Sequence, residues 1–325
     1  MRMPLVLTRV LQARGQAEEM SFPDGKLNFA WSYLRWQRNA RFGRIQNHDG
    51  PERLTVIILN YRRPQNVAPI VRSLLRCSFV SRIIVCNNDP SYPMRTWLGC
   101  ADERLEIVDE PMNMGCVRRF EVARERPGDY FLALDDDVFL WPWQVKRLFT
   151  YLVQDPDVPH GLFGEYILLD YQLRGEIKYQ DVSVDILSRV YAFTRQHVDM
   201  FWRLVAELGL DGDFGLPYDG EYTPQVREQI GATNFRSYGD DIILSFSGKG
   251  RPVIHNIGRI LCCPTGITPG VAAWKQSGFL SYRTTLVRRL VALRPDRGGA
   301  TSRLAPQPVR ASNRSSASPV AFSAF

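Results

Sequence analysis

Apolar positions along this chain come in short clusters whose spacing alternates between the two-residue period of a strand and the 3.6-residue period of a helix. Leu54 to Leu59 (LTVIIL) is a β-branched run that predicts a buried strand. Val67, Ile70, Val71, Leu74 and Leu75 follow at i, i+3, i+4, i+7 and i+8, the mark of a helix with one apolar face. Arg82 to Cys86 (RIIVC) predicts a second strand, closed by the turn-forming Asn87-Asn88-Asp89-Pro90. Leu105 to Val108 predicts a third strand, Cys116 to Arg124 a helix, Tyr130 to Leu134 (YFLAL) a fourth strand, and Trp143 to Leu152 another helix. Further on, Gly161 to Tyr166 and Val184 to Ala192 read as strands, and Phe279 to Val291 as a helix whose apolar residues face the core.

Alternation of this kind predicts an α/β fold with a mainly parallel central sheet and helices on both faces. Ligands of such sheets sit outside the carboxyl ends of the strands. That rule gathers four segments on one rim: Asn60 to Arg63, Asn87 to Asp89, the loop around Asn113, and Asp135 to Asp137.

The last of these carries the strongest chemical signal. Asp135, Asp136 and Asp137 directly follow an apolar strand and precede Val138-Phe139-Leu140. Packed carboxylates repel one another, and burial without a partner is expensive. A divalent cation, Mn2+ or Mg2+, removes that cost, because such an ion takes one or two carboxylates and completes its shell with water and substrate phosphates. Alternate residues of an extended segment point the same way. Asp135 and Asp137, a D-x-D pair, can therefore act together as metal ligands while Asp136 turns toward a basic residue or a backbone amide. An acidic turn capping the next helix is the other reading of the same residues.

Charge changes the picture by where it lies. The chain of 325 residues carries a net +7. Residues 1–50 hold eight Lys and Arg against four Asp and Glu, and residues 294–325 five Arg against one Asp, so the middle is close to neutral. A nucleic-acid surface would be built into the folded domain, so no nucleic-acid partner is expected. No apolar run approaches the ~20 residues of a membrane span, and Met1 to Gly15 lacks the continuous apolar stretch of a secretory signal. The six cysteines show no C-x-x-C spacing and read as reduced thiols of a cytoplasmic protein. Between Leu27 and Ile45 aromatic residues mix with arginines. Either this is a basic amphipathic segment giving peripheral contact with an anionic membrane, or its aromatics pack on the main domain. The expected organisation is a basic aromatic extension over 1–52 and a catalytic domain over 53–293, with a nucleotide-binding half (53–140) and an acceptor half (141–293). A disordered tail over 294–325 follows.

In order and spacing, VIILNYRRPQNV (Val56 to Val67), IIVCNND (Ile83 to Asp89), NMGCVRRF (Asn113 to Phe120), LALDDDVFL (Leu132 to Leu140) and GDDIILSF (Gly239 to Phe246) resemble the GT-A glycosyltransferases. The resemblance is nearest to the exostosin-type N-acetylhexosaminyltransferases, more loosely to family 2, and spans roughly residues 53–290. It implies a GT-A fold and a metal-dependent transfer of a sugar from a nucleoside-diphosphate sugar donor, most plausibly a UDP-sugar such as UDP-N-acetylhexosamine. The acceptor would be a hydroxyl of a glycan or a lipid-linked molecule. It also implies that Asn60, Tyr61 and Arg63 cradle the nucleotide, that Asn87 and Asn88 bond its base or ribose, and that Asn113 with Arg118 or Arg119 reaches the nucleotide or diphosphate. Asp135 and Asp136 would face the ribose or donor sugar, with Asp137 on the metal. Asp240 and Asp241 stand where the family has Glu-Asp. They would be the catalytic carboxylates facing the acceptor, Asp241 taking the proton of the attacking hydroxyl or steadying the sugar carbon.

Asp240 is shorter than the family's Glu, and the acidic, Gly-rich stretch Asp211 to Thr223 has no clear counterpart. The 50-residue extension lacks the membrane anchor of the family's Golgi members. Arg283 is a candidate for the diphosphate, Arg189 either contacts the donor sugar or diphosphate or is carried to the surface by its strand, and His255 is either a third metal ligand or a structural histidine. A sugar-nucleotide pyrophosphorylase would need a Gly-rich loop where Asn60-Tyr61-Arg62-Arg63-Pro64 has no glycine. A non-catalytic nucleotide-sugar-binding scaffold would not need both Asp137 and Asp241.

Overall fold

The apolar clusters fold into the elements their periods predict. The computed structural model describes residues 25–210, 235–263 and 279–298. The chain enters through α1 (Gly25–Phe42), then runs β1 (Leu54–Asn60), α2 (Pro64–Leu74), β2 (Val80–Asn87), α3 (Met94–Leu98), β3 (Leu105–Asp109), α4 (Arg118–Glu125) and β4 (Tyr130–Asp135). It continues with β5 (Val138–Phe139), α5 (Pro142–Gln154), β6 (His160–Ile167), β7 (Leu173–Lys178), β8 (Val182–Ser183), β9 (Ile186–Thr194) and α6 (Arg195–Glu207). The last elements are α7 (Phe235–Tyr238), α8 (Asp240–Phe246), β10 (Val253–Ile254), β11 (Leu261–Cys262), α9 (Phe279–Leu293) and the short α10 (Pro295–Gly298).

Nine strands form one sheet in the order β3-β2-β1-β4-β9-β6-β10-β8, with β7 on β6, and β5 pairs separately with β11. From β3 to β4 every neighbour is parallel. β9 then pairs antiparallel with both β4 and β6, so parallel character belongs to the first half and the second half is mixed. Strand β1 is buried at all seven positions because both faces are covered. Leu54, Val56 and Ile58 join the core that holds α2 and α5, while Ile57 and Leu59 join the core beneath α4, α6, α8 and α9. β1 and β4 are in register up to Leu59 beside Asp135, and β1 and β2 up to Asn60 beside Asn87, so the rim segments emerge side by side.

Helix α1 lies outside the expected domain yet is part of its core. Phe29, Tyr33 and Trp36 are fully buried. Tyr33 meets Phe139 edge-on at 5.2 Å, and the Trp36 indole N–H donates to the Leu140 carbonyl at 2.9 Å. The folded unit therefore starts well before residue 53, because one face of α1 is aromatic and closes over β5. Residues 1–24, the stretch 211–234 that includes Asp211 to Thr223, 264–278 and 299–325 lie outside the described residues, while Pro295–Gly298, placed by the sequence in the disordered tail, is a short helix. All six cysteines are free thiols. Among the described residues no helix is long and apolar enough to cross a membrane.

Candidate active site

At the carboxyl ends of β1, β2 and β4 a cavity of about 560 Å3 opens, bounded across the sheet by β6, β7, β9, α8 and α9. One wall is the acidic turn. Asp135, the last residue of β4, accepts a bond from Arg119 Nη2 at 2.9 Å. Asp136 turns back: its Oδ2 accepts from the Tyr61 amide at 2.9 Å and its Oδ1 lies 3.0 Å from Arg63 Nη1. Asp136 thus ties the turn to the loop after β1, the backbone-amide and basic-residue role its odd position in the run suggests. Asp137 Oδ2 lies 2.7 Å from the same Arg63 nitrogen.

The opposite wall is the first turn of α8. Asp241 is gripped by Arg283 of α9, whose Nη1 stands 2.7 Å from both carboxylate oxygens. Arg283 Nη2 reaches Glu165 of β6 at 3.2 Å. Asp240 Oδ2 is 3.4 Å from Arg119 Nε and accepts no hydrogen bond among the described residues. Arg119 therefore joins the walls, holding Asp135 on one and Asp240 on the other, with its guanidinium 5.2 Å from the Tyr191 ring centroid.

Seven carboxylates line the cavity, from Asp135, Asp136, Asp137, Glu165, Glu176, Asp240 and Asp241, against four guanidinium groups, from Arg63, Arg119, Arg189 and Arg283. Burial, more than this excess, sets the proton affinity of Asp240 and Asp136. Burial pushes Asp240 up to about 7, against the pull of Arg119 and with help from Asp241 and Asp135. Burial likewise pushes Asp136 up to about 7, opposed by Arg63. Asp135 and Glu165 are also raised, first by burial. Such a surplus fits a bound cation. Among the described residues no three His, Cys, Asp or Glu side chains form a metal cluster. The oxygen pair Asp135 and Asp137 suits an ion that draws the rest of its shell from phosphate and water.

The site residues expected from sequence divide. Tyr61, Arg63, Asn88, Asn113, Asp135, Asp136, Asp137, Asp240, Asp241 and Arg283 all line the cavity. Asn60 and Asn87 do not. They are fully buried, Asn60 Nδ2 donates to Asn87 Oδ1 at 2.7 Å, and Asn87 Nδ2 donates to Asp109 Oδ1 at 2.8 Å. They pin three strand ends together, as polar residues that close an apolar strand must find partners. Arg118 also faces elsewhere, paired with Glu110 at 2.6 Å, Glu121 at 3.3 Å and Glu125 at 2.9 Å. Its neighbour Arg119 takes the cavity position. Asn88 donates through Nδ2 to the Gly115 carbonyl at 3.0 Å, while its Oδ1 has no donor among the described residues. Gly115 is required there: its φ is +75°, and a Cβ would come within 2.6 Å of the Arg236 carbonyl.

His255 is structural. Its ring stacks on Tyr151 with centroids 3.9 Å apart, its Nε2 is 2.8 Å from His160 Nδ1, and it is absent from the cavity lining. Burial and His160 push it down to about 3, so it is neutral.

Lining residues that no motif pointed to include Glu165, Glu176, Ser188 and Tyr191. Glu165 had a signal, a carboxylate in the apolar run GLFGEY. Arg189, a weak candidate, lines the cavity beside Glu176 at 2.9 Å with a left-handed φ of +62°. A non-glycine residue held there marks a locally strained position.

Solved structures that resemble the chain include two of low identity. One is the crystal structure of GalNAc-T7 with UDP, GalNAc and Mn2+, at 9% identity and TM-score 0.44, covering 66% of this chain and 44% of that one. The other is S. aureus TarS 1-349, at 12% identity and TM-score 0.39, covering 64% of this chain and 59% of that one. The chain thus spans less than two thirds of either. No family model matches it, and no curated protein matches it in sequence.

Proposed function

We propose that the protein transfers a sugar from a nucleoside-diphosphate sugar to an acceptor hydroxyl. The observation that carries this reading is the pair of facing acidic walls bridged by Arg119: Asp135 and Asp137 on one side, Asp240 and Asp241 on the other. A donor diphosphate with its cation belongs at the first wall and an acceptor hydroxyl at the second. The motif resemblance favours a UDP-sugar, with a glycan or lipid-linked acceptor.

Asp135 and Asp137 would hold Mn2+ or Mg2+, which when bound neutralises charge on the departing diphosphate. The protein's own groups do the rest. Asn88 and Asn113 offer bonds to base or ribose, and Tyr61 a ring for the base. Arg63 and Arg189 supply charge-assisted bonds to phosphate. Asp240, with its affinity near neutral and an oxygen lacking a donor, suits the general base that takes the hydroxyl proton. Asp241 is held by Arg283 on both oxygens and suits positioning of the acceptor or sugar. That exchanges the emphasis the resemblance gives the two aspartates.

The test is a panel of UDP- and GDP-sugars with Mn2+, read by calorimetric binding and by donor hydrolysis. Binding of one donor class that is lost in Asp137→Ala supports the reading. A panel in which nothing binds, or an Asp137→Ala protein that binds as the wild type does, sinks it. A binding scaffold would show donor affinity unchanged by Asp240→Asn and no turnover in either protein.

A further inference from the structure

Helix α1 has two aromatic faces, and the core uses only one. Phe29, Tyr33, Trp36 and Ala40 are buried along one side. At 100° per residue, Trp31, Leu34, Arg35, Arg38, Arg41 and Phe42 fall on the opposite side, and all six are exposed. Trp31 keeps 70% of its surface in water and Phe42 73%, with Ile45 at 53% just beyond the helix end. Scattered apolar residues on a surface need no explanation, but two aromatics and a leucine on one outer face do. The charge on this stretch has a single sign. From Lys26 to Asn47 the sequence holds Lys26, Arg35, Arg38, Arg41 and Arg44 and no Asp or Glu.

We infer that the outer face of α1 docks on an anionic lipid bilayer. Trp31, Leu34 and Phe42 enter the interface, and Arg35, Arg38 and Arg41 bond the lipid phosphates. A helix lying in the interface plane needs this pairing of an apolar surface with cations. Indole is suited to the boundary between hydrocarbon and headgroup, and arginine can lay its stem on the apolar layer with its fork in the headgroups. Other occupants fit less well. A second copy of this chain would set arginine against arginine, which repels. Single-stranded nucleic acid prefers a basic groove with stacking rings. Here the surface is a convex helix, and Leu34 and Ile45 have nothing to offer a base.

The buried face of α1 packs on Phe139 and Leu140, which follow Asp137 by two and three residues. A bilayer on the outer face would lie about one helix diameter, ~10 Å, from that segment. The inference needs only the surface and stands without the transferase reading.

The test is co-sedimentation of the full chain with vesicles of phosphatidylcholine alone, or of phosphatidylcholine mixed with phosphatidylglycerol. The mixed vesicles should bind the chain and the neutral ones should not. Trp31→Ala with Phe42→Ala should weaken binding by about tenfold or more. Arg35→Gln, Arg38→Gln and Arg41→Gln together should weaken it by about a hundredfold. All these side chains are exposed, so thermal melts of the variants should match the wild type. Equal binding to neutral and anionic vesicles, or none to either, overturns the inference. So does a Trp31→Ala, Phe42→Ala protein that binds as the wild type does while the arginine variant fails. That outcome would mark a patch for polyanions or acidic proteins.

Discussion

Asp240 and Arg119 decide most of what single residues can be asked here. Asp240 is pushed up to about 7, so its basic form grows as pH rises through neutrality. Turnover should therefore climb between about pH 6 and about pH 8, and Asp240→Asn should flatten that limb and lower kcat by about 10²–10⁴-fold. A steady-state pH profile of both proteins checks it. The same displacement acts on stability with the opposite sign. A carboxyl raised from 3.8 to about 7 in the folded state favours folding while it stays protonated. That contribution is full below about pH 4 and is lost as pH rises through 7. With metal and donor withheld, the melting temperature should fall between about pH 4 and about pH 7, and the fall should shrink in Asp240→Asn. The adjacent arginines give a cleaner contrast. Arg119→Gln should abolish turnover, whereas Arg118→Gln should leave donor affinity unchanged and cost about 1 kcal/mol of stability, read by donor titration and chemical denaturation. The sequence shows two neighbouring arginines ahead of Phe120. It cannot show that a turn of roughly 100° sends one to the cavity and the other to Glu110. Asn60 and Asn87 teach the converse: a polar residue that ends an apolar strand can belong to the core.

Among the elements, those built on long periodic runs were legible, and those defined by their partners were not. β1, β2, β4, α2 and α5 each carry their own hydrophobic pattern. Two-residue β5 and β11 exist only because Phe139 lies opposite Leu261 and Val138 opposite Cys262. The antiparallel placement of β9 beside β4 is likewise a tertiary choice, since an apolar strand fits either direction. Helix α1 was ambiguous for a physical reason: aromatics on both faces blur the amphipathic pattern that separates a packed helix from a surface one. Its inner face can be tested directly. Trp36→Ala removes a buried indole and its bond to Leu140, and should destabilise the fold by about 3–5 kcal/mol. Trp31→Ala should cost almost nothing. Paired denaturation curves would show the difference.

At the scale of the whole molecule, the cavity sits where a parallel half-sheet meets a mixed one. The rim of β1, β2 and β4 was readable because strand order dictates where ligands lie. The far wall was readable at Asp240, Asp241 and Arg283, whereas Glu176 and Tyr191 reach the cavity through pairings no local pattern announces. The charges on these walls set terms of entry. A free divalent cation finds Asp137 already claimed by Arg63, and a free diphosphate meets more carboxylates than guanidinium groups. Arriving together, each removes the other's obstacle. The diphosphate can draw off Arg63, whose Nε has no hydrogen-bond partner among the described residues, and the cation can take the carboxylate. Such coupling is reciprocal. Calorimetry should find Mn2+ and UDP each binding about tenfold or more tightly in the presence of the other. The cavity would then behave as a coincidence detector, closed to either ligand alone and filled when both are at hand.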